Sequence, residues 1–138
     1  MVKNKKDRKP KIKLDEPDEY PIADFKYLTS NKKYNFGYFN NLRESIEGKA
    51  IILDKIIDIQ KYSWLELMQM RKNIGIEYID YEQLKFSPSN TKIVEDSKVV
   101  IMRLNSQNWR LIGVKSKNLK NVLHIIGFDF DFSAYNHG

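Results

Sequence analysis

The chain has 138 residues, of which 41% are hydrophobic and 12% aromatic, and it contains no cysteine. This length and composition predict one folded domain with a real core, and they exclude disulfides and thiolate metal sites. No apolar run approaches the roughly 20 residues of a membrane span. The lysine-rich start has no apolar stretch behind it, so we expect neither a membrane segment nor a secretory signal. A cytoplasmic location is the default expectation.

The net charge of +6 belongs entirely to the first thirteen residues. Seven basic residues there stand against Asp7, while the rest of the chain carries equal numbers of acidic and basic groups. Such a tail can bind nucleic acid electrostatically, and it can equally be a solvated extension that keeps the chain soluble. The RNA-binding candidates are Lys3, Lys5, Lys6, Arg8, Lys9, Lys11 and Lys13.

Residues 1–21 have the composition of a disordered leader. The basic block runs into an acidic one at residues 15–19, and three prolines fall within the leader. We therefore place the folded domain at residues 22–138. Weak alternation of aromatic residues over 22–38 predicts a hairpin or one long strand, with a polar bend at residues 31–33.

Two helical segments are expected next. Asn41 and Glu44 resemble the two ends of a capping box, and a stripe with helical spacing follows, although Gly48 weakens that helix and allows a break. Ser63 begins a second helix with a clearer capping box, and this helix should run to about Asn73. The stripe of the first helix that we expect to face the core is Leu42, Ile46, Leu53, Ile56 and Ile57.

The end of the chain is its most informative part. Three β-branched and aromatic runs, at 99–106, 109–115 and 122–132, are separated by short polar turns. This pattern predicts a strand meander. Alternation in the first run places Met102 and Arg103 on opposite faces of the sheet. We expect one face to pack on the helices and the charged end of the other face to form a partly open site.

Residues 128–132 alternate Phe and Asp, which predicts phenyl groups on one face and carboxylates on the other. Asp129 and Asp131 would then pair with Arg103 or Arg110 on neighbouring strands, as is ordinary in sheets. With the two histidines they could instead form an oxygen/nitrogen metal site, which would make the protein a metal-dependent nuclease. No third carboxylate stands in a fixed motif, so we expect no metal and no cofactor.

The order of elements resembles the RelE/ParE superfamily of small bacterial toxins, many of which cleave messenger RNA on the ribosome. The resemblance covers residues 23–137 in element order and is carried by Trp-Arg-Leu-Ile-Gly at 109–113, Val-Leu-His-Ile-Ile-Gly at 122–127, and the Tyr-Asn-His at 135–137. It implies an α+β fold in which a small antiparallel sheet, the meander, packs on two helical segments. The chain is longer than typical members, and its body is neutral where the ribosome-dependent members are usually basic.

The resemblance implies a toxin-type endoribonuclease that an antitoxin protein neutralises. Metal-free cleavage needs a base for the 2′-hydroxyl, an acid for the leaving 5′-oxygen and cations for the charged phosphorane. Histidine suits either proton transfer near neutral pH, which makes His137 a candidate, and Tyr135 can orient a base or donate a proton. Arg103 and Arg110 can clamp the phosphate. Asp129 is the best candidate for the base.

Each candidate also has an ordinary structural explanation. A residue as near the end as His137 is usually frayed, and Tyr135 can simply pack on the sheet edge. His124 lies inside an apolar strand and is more often a hydrogen-bonded core histidine than a catalyst. The competing function is a non-catalytic RelE-like binding module of a mobile-element or phage-defence system. Convergence of the candidates on one sheet face would favour the enzyme.

Overall fold

The computed structural model of the chain describes residues 20–71, 74–94, 97–104 and 108–137. These residues form an α+β architecture with one mixed five-stranded sheet and one long helix. The expected leader, with its seven basic residues, lies outside the described residues except for positions 20 and 21. No helix in the described ranges is both long and apolar enough to cross a membrane.

The sheet has the strand order β1-β5-β4-β3-β2, and only the outer strand β1 runs parallel to its neighbour. The strands are β1 (Ile22–Asp24), β2 (Ile76–Asp80), β3 (Lys98–Arg103), β4 (Arg110–Lys115) and β5 (Val122–Asp129), and the helices are α1 (Leu42–Ile59) and α2 (Trp64–Gln69). The predicted meander is therefore confirmed as β3, β4 and β5. The expected sheet was small and antiparallel, whereas β1 makes the observed sheet mixed.

The pairing of β4 with β5 contains a bulge next to Gly113. A side chain there would meet the backbone oxygen of His124 at 2.8 Å, so the close approach needs glycine. The bulge shifts the register by one residue, so that His124 pairs with Val114 while Asp129 pairs with Arg110. Because paired residues point to the same side of a sheet, both His124 and Asp129 lie on the face opposite the helices.

Both faces of the sheet are buried. One packs against α1 and α2, and alternation along β3 assigns Met102 to this side, as predicted. The other face is covered by Tyr34, Phe86, Val94 and Tyr135, which come from irregular segments and short 3₁₀ turns. The expectation of a partly open face is therefore wrong for most of its area, because these apolar side chains close it.

Helix α1 is continuous, and Gly48 does not break it. Its N-cap is Asn41, whose side chain accepts the Glu44 N–H at 2.9 Å. The stripe predicted to face the core is wrong except at Ile56, because its other four members are half exposed or more. The buried side consists of Gly48, Ile52, Ile56 and Ile59. The helix thus has two apolar sides, and helical spacing alone cannot tell which one meets the sheet.

Residues 22–38 form neither the hairpin nor the long strand that their aromatic alternation predicted. Strand β1 has three residues, and 3₁₀ turns follow at Lys32–Tyr34 and Phe36–Tyr38. The side chains of Asn31 and Asn35 accept backbone N–H groups at the starts of these turns, at 3.0 and 2.7 Å. Such local hydrogen bonds hold the backbone in turns and so compete with strand pairing. The spacing of the aromatic residues here therefore reflects the 3₁₀ turns and not the alternation of a strand.

Helix α2 begins as predicted but ends earlier. The Ser63 hydroxyl accepts the Glu66 N–H at 3.0 Å, and the Glu66 carboxylate accepts the Ser63 N–H at 2.8 Å, which completes the capping box. The helix ends at Gln69 rather than near Asn73. It has six residues, about a turn and a half, and its stability comes from burying Trp64 and Leu67.

Candidate functional site

The predicted site residues meet at one end of the sheet face opposite the helices. Arg103 pairs with Arg110 across β3 and β4, and Arg110 pairs with Asp129 across β4 and β5. The segment after β5 folds back, so that the rings of Tyr135 and His137 lie 4.0 Å apart next to this row. All five catalytic candidates named from the sequence are thus grouped, whereas the basic residues of the leader fall outside the described residues.

The fold-back occurs at Phe132, whose φ of 65° lies in the left-handed region. A side chain in that conformation costs about 1–2 kcal/mol, so its surroundings must hold it. The Phe132 ring stacks on the His137 imidazole at 3.6 Å between centroids and lies 5.3 Å from the Arg110 guanidinium carbon. The alternation predicted over 128–132 therefore stops after Phe130, which still packs in the helix-side core.

The Asp129 carboxylate is fully buried and organises this turn. Its Oδ1 accepts the backbone N–H groups of Asp131 and Ser133, at 3.3 and 2.9 Å, and its Oδ2 accepts that of Ala134 at 3.0 Å. The same Oδ2 lies 3.2 Å from Nε2 of His137. One side chain therefore fixes both the path of the turn and the position of the imidazole.

Asp131 has separate partners and does not share a site with Asp129. It is exposed, its carboxylate accepts the Ser133 hydroxyl, and its nearest cation is Lys33, whose Nζ lies 3.9 Å away. In the described ranges, no three His, Cys, Asp or Glu side chains are grouped so that they could hold a metal ion. The oxygens of Asp129 are also engaged by N–H donors, so the two carboxylates are poorly placed to bind a metal together.

His137 is held rather than frayed, and its side chain is 11% exposed. With Nε2 donating to Asp129, the neutral imidazole carries its lone pair on Nδ1. The only hydrogen bond that the structure records for the ring within the described part of the chain is the one from Nε2. The ring therefore has the arrangement of an oriented base, with one nitrogen fixed by a buried carboxylate and the other left for a ligand.

Three buried polar atoms near the site lack a hydrogen-bonding partner among the described residues: Nε of Arg103, Nε of Arg110 and Oη of Tyr135. The fourth such atom, Nε1 of Trp64, belongs to α2. Buried polar groups are nearly always bonded, and leaving one unpaired costs about 1–3 kcal/mol. Three of them on neighbouring positions indicate a place where a bound ligand or water supplies the missing partners.

Arg110 does not form the cross-strand ion pair with Asp129 that the sequence allowed. The two residues are directly opposite in the register, but no ion pair joins them, and the guanidinium instead donates to the Trp109 carbonyl at 3.3 Å. The Asp129 oxygens point toward the turn instead. The charge of Arg110, which is 5% exposed, is thus left without a carboxylate partner in the described residues.

Burial raises the pKa of the Tyr135 hydroxyl, and the nearby Arg110 guanidinium opposes this shift without cancelling it. The negative charges of Glu77 and Asp129 add to the increase. Tyr135 therefore keeps its proton at neutral pH. Its Oη can donate a hydrogen bond or a proton, but it cannot serve as a base.

Solvent reaches the site through a shallow depression of about 440 Å³. It is lined by Lys85, Phe132, Ser133, Tyr135, Asn136 and His137. Lys85 and Phe132 were not predicted from the sequence, because nothing in the local pattern connects Lys85 to the end of the chain. The two segments are joined by a hydrogen bond of 2.8 Å from the Lys85 N–H to the Ala134 carbonyl.

No family model, curated protein or solved structure matches this chain. The RelE/ParE resemblance therefore stays a prediction. The function has to be argued from the chemistry of the grouped residues.

Proposed function

We propose that the protein is a toxin-type endoribonuclease of RelE-like architecture that cleaves messenger RNA without a metal and is neutralised by an antitoxin protein. The observation that carries the proposal is the buried Asp129 carboxylate bonded to His137, with Arg110 and Tyr135 beside it. This group contains an oriented base, a protonated acid and an unpaired cation, which are the components that metal-free RNA cleavage requires.

In the proposed reaction, Nδ1 of His137 takes the proton of a 2′-hydroxyl, and the 2′-oxygen attacks the adjacent phosphorus. The bond from phosphorus to the 5′-oxygen breaks, and that oxygen takes the proton of Tyr135. The products are a 2′,3′-cyclic phosphate and a 5′-hydroxyl, and solvent returns the proton from the imidazolium to the phenolate. Arg110, supported by Arg103, neutralises the phosphorane.

Asp129 has a different role here from the base that the sequence favoured. Its oxygens accept three backbone N–H groups and face His137, so they are not free to take a substrate proton. We assign it to the orientation of the imidazole and to stabilisation of the imidazolium, as in other Asp–His pairs.

The deciding experiment is cleavage of a labelled RNA oligonucleotide by the purified full chain, with and without added ribosomes. We expect a 2′,3′-cyclic phosphate product, no cleavage of the 2′-deoxy oligonucleotide, and unchanged cleavage when a chelator is present. His137→Ala should lower kcat/KM about 10²- to 10⁴-fold, the usual contribution of a general base. The control is Asn40→Ala, at an exposed position outside the lining of the depression, which should retain cleavage.

Expression of the intact chain should arrest growth, and His137→Ala should relieve the arrest. Unchanged arrest and cleavage in a folded His137→Ala protein would overturn the site. Cleavage that a chelator abolishes would overturn the metal-free mechanism.

The second candidate is the non-catalytic RelE-like binding module, and the burial of the site favours it. Arg110 and Tyr135 are each 5% exposed, so a phosphate reaches them only if the segment 132–137 moves. If the protein is a binding module, the wild type should bind its partner without cleaving RNA, and His137→Ala should bind that partner equally well. Product analysis with excess enzyme and long incubation separates the two functions.

A further inference from the structure

A second pocket lies at the opposite end of the same sheet face, where β1 ends beside β5. It has a volume of about 290 Å³. Its lining includes Asp24, Lys26, Asn90, Lys92, Lys117 and His124. It shares no residue with the depression at His137, so it is a separate feature of the molecule.

The pocket is built around a second Asp–His pair. The parallel register of β1 and β5 sets Asp24 directly opposite His124. Nδ1 of His124 lies 2.8 Å from Asp24 Oδ1, and the ring also meets the edge of Tyr27 at 4.8 Å between centroids. His124 is 5% exposed, so the expectation of a hydrogen-bonded core histidine is confirmed. With Nδ1 engaged, Nε2 is the ring nitrogen left for a ligand.

The oxygen atoms of this pocket are largely occupied by bonds within the chain. Asn90 Oδ1 accepts the Lys92 N–H at 3.0 Å, so the Asn90 amide presents its N–H groups to the pocket. Ser116 Oγ accepts the N–H groups of Asn118 and Leu119, at 3.2 and 2.9 Å, which leaves its O–H as a donor. These two side chains therefore present donors to the pocket.

The charges of the lining residues also favour an anionic ligand. Among the described residues that line the pocket, Lys26 and Lys92 contribute ammonium groups, and the one carboxylate, that of Asp24, is engaged by His124. A concave surface with excess positive charge and convergent donors is suited to an anion with several acceptor oxygens. Lysines bind phosphate as point charges, without the fixed geometry that arginine imposes.

We infer that this pocket binds a phosphate monoester of about the size of a nucleotide. Pockets for small molecules usually enclose about 300–1,000 Å³, so this one can hold a phosphate and part of its substituent. A polymer would need a longer groove than a pocket of about 290 Å³ provides. The inference is independent of the proposed nuclease activity because it uses none of the same residues.

The test is isothermal titration of the full chain with inorganic phosphate and with adenosine 5′-monophosphate, at constant ionic strength. Both should bind saturably. The double variant Lys26→Ala with Lys92→Ala should weaken binding about tenfold, a loss that corresponds to about 1.4 kcal/mol. The matched control is Lys49→Ala with Lys61→Ala, which removes the same charge from exposed positions on and after α1 and should change affinity less than about twofold.

Tighter binding of the nucleotide would identify a monoester as the ligand, and equal binding would assign the site to the free anion, which would overturn the nucleotide part of the inference. Equal losses in the two double variants, or no saturable binding of either probe, would overturn the site itself. Single-stranded RNA binding that depends on Lys26 and Lys92, without nucleotide binding, would assign the pocket to a polymer. Circular dichroism of both variants confirms that the fold is retained.

Discussion

Oδ2 of Asp129 lies 3.2 Å from Nε2 of His137, while the same carboxylate accepts three backbone N–H groups from the turn that separates the two residues. The turn and the imidazole are therefore held by one buried group. A change at Asp129 must affect stability and chemistry together, whereas a change at His137 affects mainly the chemistry.

Asp129→Asn should lower the free energy of unfolding by about 2–4 kcal/mol, because an amide nitrogen cannot accept the buried N–H groups that the carboxylate oxygens accept now. Urea denaturation measures this loss. Asp131→Asn is the matched control, and we expect it to cost less than about 1 kcal/mol because Asp131 is exposed. Equal stability of the two variants would contradict the organising role of Asp129.

Tyr135→Phe should abolish RNA cleavage while leaving the free energy of unfolding unchanged or raising it by about 1 kcal/mol. The hydroxyl is buried without a partner among the described residues, so its removal relieves an unsatisfied group. Thermal unfolding and the cleavage assay together measure the two effects. A variant that is strongly destabilised would show that Oη has a structural partner.

Tyr135→Phe should also weaken the dependence of stability on alkaline pH. Because the folded state raises the pKa of Tyr135 above 10.0, this group contributes stability that is fully present below about pH 10 and is lost as the pH rises through the folded pKa. Tyr78→Phe is the control, since burial raises the pKa of Tyr78 as well. Both variants should flatten the alkaline profile, but only Tyr135→Phe should stop cleavage.

Gly48→Ala should destabilise the protein by about 1 kcal/mol, even though alanine favours helices by about the same amount. A Cβ at this position would lie 2.3 Å from Cζ of Phe39, whose ring packs on Phe130 at 4.6 Å. Overpacking of this kind costs about 1–3 kcal/mol, which exceeds the gain in helix propensity. Asp54→Ala, at an exposed position of α1, should be neutral or slightly stabilising. If Gly48→Ala were as stable as that control, Phe39 would have to be mobile.

Leu53→Ala and Ile52→Ala form a neighbouring pair that reports which side of α1 is buried. Ile52 is 1% exposed and Leu53 is 56% exposed. Ile52→Ala should therefore cost about 2–5 kcal/mol, and Leu53→Ala should stay within about 0.5 kcal/mol of the wild type. If urea denaturation showed the larger loss of stability for Leu53→Ala, the buried side of α1 would be the one that the sequence predicted.

Removal of residues 1–13 tests the basic leader, which carries the whole excess charge. If the leader binds RNA, its removal should lower the affinity and flatten the salt dependence by about 0.7 per lost phosphate contact on single strands. The measurement is fluorescence anisotropy at several salt concentrations. Unchanged affinity and slope would make the leader a solubilising extension.

The sequence predicted those elements whose signal is local. The β-branched runs of β3, β4 and β5 and the capping box at Ser63 needed no knowledge of the rest of the chain. The buried side of α1 was missed because the choice between its two apolar sides depends on contact with the sheet. The turn at Phe132 was missed because a positive φ at phenylalanine has no signature in the sequence.

The sequence named the candidate residues that the structure groups, but not the hydrogen bonds that hold them. Arg110 lies opposite Asp129 because the meander pairs β4 with β5, whereas Tyr135 and His137 reach this row only through the reversal at Phe132. The role of Asp129 depended on backbone N–H groups that become available only after the chain reverses. The alternation of Phe and Asp over residues 128–132 predicts a strand that continues through Phe132, so it could not predict that the chain reverses there.

Strand β1 also limits where the chain can be cut. It pairs with the edge of β5, and the Thr29 N–H continues this cover with a hydrogen bond of 2.8 Å to the Ile126 carbonyl. All residues of β5 after the first are buried. A truncation that removes part of residues 22–29 would therefore expose the apolar edge strand β5 to solvent. Such an edge recruits strands from other molecules, and a shortened protein would aggregate before its chemistry could be measured.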